Sequence, residues 1–169
     1  MYNRLDQEEQ HEDDAQKDKY LTFALGDEEY GIEIAHVTEI IGIQSITEVP
    51  QLPEFMMGII NLRGKIIPVM DVRLRFRKRF RDYNDRTCII VINIKELSIG
   101  LIVDRVAEVI SIPRSDIVPP PDMKQEGSRY IQGIGKVGEQ VKLLLDCDEL
   151  LNYYEVESLH EAGQHNTGG

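Results

Sequence analysis

The sequence predicts a mainly β protein, built from two similar small barrels or curled sheets that lie side by side. Three observations lead to this fold class. The apolar runs are short and rich in Ile and Val, several of them alternate with polar residues, and the order of patterns occurs twice along the 169 residues. Short runs of this composition between turn residues are typical of strands.

The first hairpin is predicted from alternation at residues 21–25 and 31–34, on either side of the turn residues GDEE. The nearly continuous apolar runs at 88–92, 99–103 and 141–145 fit buried strands. Residues 34–41 suit either a strand or a helical turn. Short helices are expected at 53–57, 72–77, 114–117 and 147–155, and Asp146 is a suitable N-cap for the last of them.

The repeat is visible when residues 20–50 are placed on 89–119, and residues 58–71 on 133–146. Glycine, valine, glutamate, isoleucine and proline recur at matching positions. One such unit has too little core to be stable alone, so two units are expected to pack together. The junction between two such units is a natural binding groove.

Composition limits the class of protein. The net charge is −11, and 8–18 is an acidic stretch with almost no apolar residue, so 1–18 is expected to be a disordered tail. The end of the chain, 160–169, is polar and is expected to be disordered as well. No apolar run approaches the length of a membrane helix and no signal segment follows Met1, which predicts a cytoplasmic protein. Cys88 and Cys147 are expected to be small buried thiols.

The candidate catalytic motifs have simpler structural explanations. Residues 133–138 match GxGxxG, but a strand-like run follows them, so the glycines are interpreted as turn residues. Asp71 and Asp146 each stand between a strand and a short helix, where capping accounts for them. His36 has no recognisable nucleophile beside it. We therefore expect no enzyme activity, no cofactor and no metal.

Two features point to binding. The run RLRFRKRFR at 73–81 could contact phosphates and bases, which makes a nucleic-acid-binding barrel the alternative function. The acidic remainder of the chain opposes that interpretation. Arg63 lies in a tight hairpin in which Asn61 and Gly64 are expected to take the turning conformations, so its side chain should project. From the residues alone, an interface arginine and an idle surface arginine are equally good explanations.

Four blocks occur in an order that resembles the CheW family of bacterial chemotaxis coupling proteins. They read YLTFALGDEEYGIEIAHVTEII, ITEVPQLPEFMMGIINLRGKIIPVMDVRLRF, IIVINIKELSIGLIVDRVAEVISI and YIQGIGKVGEQVKLLLDCDELL. The resemblance covers roughly residues 19–155. It implies two five-stranded SH3-like β-barrels packed side by side, with 19–83 as the first, 84–146 as the second, and a C-terminal helix at 147–159 that packs back on the first.

The resemblance also implies a non-enzymatic adaptor that binds the regulatory domain of the histidine kinase CheA and the cytoplasmic tips of chemoreceptors. It implies a monomer in isolation, recruited to receptor arrays at the inner face of the membrane and touching the membrane only through receptors, with no nucleic acid as partner. Receptor contact is implied at Val37, Glu39, Gly58, Arg63, Ile89, Gly100 and Val109. Kinase contact is implied at Val118 and Met123, where some relatives carry an arginine and a phenylalanine.

Overall fold

The computed structural model describes residues 16–121 and 129–151, and these residues form mainly β-structure. The 3-10 helices are Ile34–His36 and Arg114–Asp116, α1 is Val72–Arg75, and residues 147–151 are helical. The strands are β1 Lys19–Leu25, β2 Glu28–Glu33, β3 Val37–Gly42, β4 Met56–Leu62, β5 Lys65–Asp71, β6 Cys88–Ile94, β7 Leu97–Val103, β8 Arg105–Ser111, β9 Ile117–Val118, β10 Ile131–Val137 and β11 Gln140–Leu145.

The strands form two mixed sheets. Sheet A has six strands in the order β8-β1-β2-β11-β10-β9, and sheet B has five in the order β3-β6-β7-β5-β4. The repeat relates the sheets strand by strand, because replacing β3, β6, β7, β5 and β4 by their repeat partners gives β8, β1, β2, β11 and β10. Each sheet combines the first hairpin of one half with the later strands of the other half.

This exchange corrects the expected division of the chain. The halves 19–83 and 84–146 do not each form one sheet, because β1 and β2 pair within sheet A while β6 and β7 pair within sheet B. Two parallel pairings join the halves: β5 to β7, with Val69 opposite Gly100, and β11 to β2, with Leu144 opposite Gly31. Antiparallel hairpins supply most of the other pairs.

The expected closed barrels are not seen in the hydrogen bonding. Among the described residues, sheet B ends at β3 and β4 and sheet A ends at β8 and β9, so neither sheet closes on itself. Each sheet nevertheless has its own small apolar cluster, around Val69 and Ile89 in sheet B and around Tyr20 and Leu144 in sheet A. A larger cluster, with Phe23, residues of both first hairpins and α1, is shared by the sheets.

Two of the short helical segments begin directly after a capping aspartate. The Asp71 side chain accepts a hydrogen bond from the Leu74 amide at the start of α1. Asp146 accepts one from the Glu149 amide at the start of the segment 147–151, as predicted. The expected helix at 53–57 is instead a turn that leads directly into β4.

The C-terminal segment inserts into the shared core as far as it is described. Cys147, Leu150 and Leu151 are buried there, and the Arg75 guanidinium donates to the Leu150 carbonyl over 3.2 Å. The rest of the predicted helix, 152–159, and the tail 160–169 lie outside the described residues. Of the predicted acidic tail, only 16–18 is described, and the Asp18 carbonyl accepts a hydrogen bond from the Ile112 amide.

The cysteines differ in accessibility. Cys147 is buried, and burial raises the pKa of its thiol to about 12, so the thiol is inert at neutral pH. Cys88 is only half-buried, which is more exposed than the sequence predicts.

Candidate functional site

The β4–β5 hairpin presents Arg63 at its tip. Leu62 pairs with Lys65, so the turn has two central residues, and both have positive φ: 52° at Arg63 and 87° at Gly64. Two positive φ values are the mark of the tight turns that match strand twist. Asn61 supports the turn with its side chain, which accepts a hydrogen bond from the Gly64 amide over 2.8 Å.

The turn conformation differs from the sequence expectation in one residue. Asn61 was expected to take a turning conformation, but it lies in β4, and Arg63 itself is left-handed. A positive φ is sterically unfavourable for arginine, whereas glycine adopts it without such a penalty. A positive φ at a bulky residue strains the backbone, and such strain is concentrated at functional positions.

Arg63 is held by Glu39. Its guanidinium nitrogen Nη2 donates to Glu39 Oε1 over 2.5 Å, while 73% of the Arg63 side chain remains exposed. This hydrogen bond raises the pKa of Arg63, which keeps the guanidinium charged. Glu39 lies on the edge strand β3 and is 29% exposed. The ion pair therefore orients an accessible guanidinium whose remaining N–H groups can bind a partner.

An open pocket of about 340 Å³ lies beside this ion pair. Its floor contains Ile67 and Val91, both buried, and its rim carries charged and amide side chains. The lining residues are Thr38, Glu39, Leu62, Arg63, Lys65, Ile67, Val91, Asn93 and Ser98. An apolar floor with a polar rim is the composition of a contact site for a partner side chain. We call this site the Arg63 pocket.

Only some of the predicted receptor residues reach this surface. Glu39 and Arg63 lie together at the Arg63 pocket. Val37 begins the same edge strand β3, and it is half-buried against the shared core.

Three other predicted residues are buried within sheet B. Ile89 is 0% exposed and belongs to the small core of that sheet. A Cβ on Gly100 would lie 2.7 Å from Ile89 Cγ2, so the two residues fit against each other inside the protein. Gly58, in β4 with φ 141°, would place a Cβ 2.1 Å from the Thr47 carbonyl oxygen. These residues lie within sheet B and offer no accessible side chain to a partner.

The remaining predicted residues lie elsewhere. Val109 is on β8, the edge strand of sheet A, and 51% of it is exposed. Val118 is half-buried in the short strand β9, where it pairs with Ile134. Met123 lies outside the described residues. Val109 is thus separate from the Arg63 pocket, on the repeat partner of strand β3.

The basic run at 73–81 is largely engaged within the protein. Arg73 makes two hydrogen bonds to Asp104, both 2.8 Å long, and Arg81 makes a third to the same carboxylate. Lys78 pairs with Glu28, 3.2 Å away. Arg75 is buried.

The setting of Arg75 is aromatic. Its guanidinium carbon lies 4.3 Å from the centroid of the Phe55 ring and 4.8 Å from that of the Tyr130 ring. Cations over aromatic faces are stabilised by the ring quadrupole. The basic run therefore holds the segment between the two halves against the rest of the protein, and few of its charges are left to bind a polyanion.

The acidic and histidine candidates have structural roles. Asp71 is 2% exposed; besides capping α1, it accepts a hydrogen bond from the Tyr83 hydroxyl over 2.8 Å. Burial raises the pKa of Asp71 above its ordinary value, although hydrogen bonds to the carboxylate act to lower it. His36 pairs with Glu33 at the surface over 3.1 Å. The glycines of 133–138 were predicted to be turn residues, but only Gly138 lies in the turn into β11; Gly133 and Gly135 lie in strand β10, where a Cβ would meet Ile117 and Ile112 side chains.

Two searches of the described residues were negative. Neither 16–121 nor 129–151 contains three or more His, Cys, Asp or Glu side chains placed to hold a metal ion. In the same ranges, no helix is long and apolar enough to cross a membrane.

The sequence did not identify most of the pocket. Lys65, Asn93 and Ser98 lie on three strands and meet only through the pairing of sheet B. The one available signal was the position of Lys65 beside the hairpin, opposite Leu62.

Two pseudo-equivalent sheets, a shared core and an accessible arginine over an apolar floor define a protein-interaction module. The chain belongs to the CheW-like domain family, whose family model matches residues 19–155. It is accordingly a member of a family of chemotaxis scaffold and adaptor proteins.

Individual relatives agree with this assignment. The chain is 37% identical over 139 residues to the chemotaxis protein CheW of Klebsiella aerogenes, covering 82% of this chain and 84% of the relative. It is 32% identical over 140 residues to CheW of Helicobacter pylori, covering 83% of this chain and 85% of the relative. Among solved structures, the scaffolding protein TtCheW from Thermoanaerobacter tengcongensis matches with a TM-score of 0.72 and 40% identity, over 76% of this chain and 88% of that one.

Proposed function

We propose that this protein couples the cytoplasmic tips of chemoreceptors to the histidine kinase CheA, and that it does so by binding alone, without enzyme activity. The observation that carries the proposal is the Arg63 pocket. An accessible arginine, fixed by Glu39, stands over a floor of buried Ile67 and Val91. Receptor tips are helical hairpins, and a helix that places an apolar residue on such a floor can be clamped by a guanidinium.

The receptor surface that we propose has two kinds of residue. Glu39 and Arg63 contact the receptor directly, and Val37 continues the surface along β3. Gly58, Ile89 and Gly100 act indirectly, because they are buried and their close packing sets the shape of sheet B. Val109 contributes from the edge strand of sheet A, where half of its side chain is accessible.

For the kinase, we propose that the regulatory domain of CheA binds near Val118 and Met123. Val118 is partly accessible at β9, the end strand of sheet A, where a partner could extend the sheet or cover its edge. Val118 does not line the Arg63 pocket, which would leave the kinase and the receptor helix separate contact sites.

We further propose that each sheet with its own apolar cluster corresponds to an SH3-like barrel, with the shared core between them. The protein would be a monomer in isolation. It would act in the cytoplasm and be recruited to receptor arrays at the inner face of the membrane through its partners.

The proposal is tested by calorimetric titration of the protein with the CheA regulatory domain and, separately, with a receptor cytoplasmic fragment. We expect both partners to bind, and we expect Arg63→Ala to weaken binding of the receptor fragment but not of the kinase domain. If Arg63 is a hot spot, the loss is about 2 kcal/mol or more. Equal receptor affinity for wild type and R63A would refute the assignment of Arg63.

The nucleic-acid alternative is disfavoured by the partners of the basic run. Arg73, Lys78 and Arg81 already pair with Asp104 and Glu28, and Arg75 is buried. Binding to an oligonucleotide that weakened steeply with salt would revive it.

A further inference from the structure

Lys65 is a second cation at the Arg63 pocket. Its ammonium group donates a hydrogen bond to the Ser98 hydroxyl over 2.9 Å, and the side chain is exposed. Among the residues that the structure describes, no carboxylate lies within ion-pair distance of it. Lys65 therefore differs from Arg63, whose charge is already compensated by Glu39.

The repeat provides an internal comparison. The positions that correspond to Arg63, Lys65, Ile67 and Ser98 in sheet A are Gly138, Gln140, Lys142 and Glu29. The surface of sheet A thus has a glycine and an amide where sheet B has two cations. It has a carboxylate, Glu29, where sheet B has the Ser98 hydroxyl.

The floor also differs between the two sheets. Lys142 is 5% exposed at the position of Ile67, and it is ion-paired to Glu29. Gln140 accepts a hydrogen bond from the Lys142 ammonium over 3.3 Å. An ion pair therefore occupies in sheet A the place of the apolar floor in sheet B.

We propose that the Arg63 pocket is a subsite for an acidic side chain, bound by Lys65, on the same helix face as the apolar residue that rests on Ile67 and Val91. On a helix, residues three or four apart share one face, so one partner helix can supply both groups. This inference rests on the proposed receptor-binding function and names the chemistry that the receptor must present. At the corresponding positions of sheet A, Gln140 and Lys142 supply neither an exposed cation nor an apolar floor, so the subsite is confined to sheet B.

The test is a titration with a receptor cytoplasmic fragment, using Lys65→Met and Ser98→Glu. Methionine keeps the length and apolar stem of lysine but removes the charge. Glutamate at 98 reproduces Glu29 of sheet A and places a carboxylate beside Lys65. The matched control is Lys136→Met, because Lys136 is an exposed lysine on the β10–β11 hairpin of sheet A. Unfolding curves of all three variants check that the fold is intact.

We expect K65M to bind the receptor fragment about fivefold more weakly, the upper range for an accessible charge pair, and S98E to be weaker still. Raising the salt concentration should reduce the difference between wild type and K65M, because salt screens exposed charges. K136M should bind like wild type. In addition, each acidic residue of the receptor fragment is changed to the amide in turn. One of these changes should weaken binding to wild type but not to K65M.

The possible failures are distinguishable. If wild type binds the fragment and K65M and S98E bind as tightly as K136M, the acidic subsite is wrong while the proposed function stands. If K65M is weaker but no receptor acid is coupled to Lys65, the subsite is wrong as well. If wild type does not bind the fragment, the proposed function fails, and the subsite fails with it.

Discussion

Replacing Gly58 by alanine should destabilise the protein severely, because two separate structural requirements meet at this residue. Its φ of 141° is a backbone conformation that residues with a Cβ rarely adopt. A Cβ would also lie 2.1 Å from the Thr47 carbonyl oxygen and 2.8 Å from the Thr47 carbonyl carbon. Both atoms belong to the main chain, so no side-chain rotation relieves the overlap.

The loss of stability in G58A can be worked out from the backbone strain and from the hydrogen bonds that the substitution disturbs. Forcing a non-glycine residue into this region costs about 1–3 kcal/mol. Moving Thr47 away stretches its two backbone hydrogen bonds with Ile59, each 2.9 Å long. Each such bond contributes about 1 kcal/mol net to stability. We expect G58A to lose about 3–5 kcal/mol, a large share of the 5–15 kcal/mol typical of a domain.

The assay is urea unfolding followed by circular dichroism, with Gly42→Ala as the matched control. Gly42 lies on β3 in the same sheet, and a Cβ there would meet no atom within 4 Å. G42A should change the unfolding free energy by no more than about 0.5 kcal/mol. If G58A proves as stable as G42A, the argument from backbone fit is wrong, and Gly58 would have to act by direct contact instead.

Three further predictions concern burial and ionisation. Ile89→Ala should cost about 2–4 kcal/mol of stability because it opens a cavity in the sheet B core, whereas Val109→Ala, at an exposed site, should leave urea unfolding almost unchanged. Tyr83→Phe removes the hydroxyl that stabilises the Asp71 carboxylate. Because burial raises the pKa of Asp71 above its unfolded value, ionisation costs stability as the pH rises through these values, and unfolding curves should show a larger effect of Y83F at pH 7 than at pH 4. Burial acts to raise the pKa of Asp104, but hydrogen bonds and neighbouring cations hold it below its ordinary value. The Asp104 carboxylate therefore stabilises the fold above the unfolded pKa, and this stabilisation is lost as the pH falls through the folded pKa. Asp104→Asn should make the free energy of unfolding depend less on pH over that acidic range.

The repeat allowed the strands to be predicted, but not their exchange between the sheets. Matching patterns in the two halves indicate that β1 and β6, or β5 and β11, have the same surroundings. They do not indicate whether β5 pairs with β2 or with β7, because both hairpins carry the same pattern and satisfy the same pairing. The choice depends on packing of the shared core, which is a long-range property of both halves.

The site was predictable where a local turn determined it. The hairpin motif indicated a projecting Arg63 and a turning Gly64, and the structure agrees, although the second turning residue is Arg63 itself and not Asn61. Burial of Ile89 and Gly100 could not be read from their neighbourhoods, because strands buried on one face and on both faces look alike in short apolar runs. Lys65 and Ser98 meet through a parallel pairing between residues far apart in sequence.

The most direct test of the account is a calorimetric titration of wild type and R63A with both partners, the CheA regulatory domain and a receptor cytoplasmic fragment. The account predicts that wild type binds both. It predicts that R63A keeps full affinity for the kinase domain and loses most of its affinity for the receptor, since 73% of the Arg63 side chain is exposed and its removal should leave the fold intact. Failure of wild type to bind either partner, or equal receptor affinity for wild type and R63A, would contradict it.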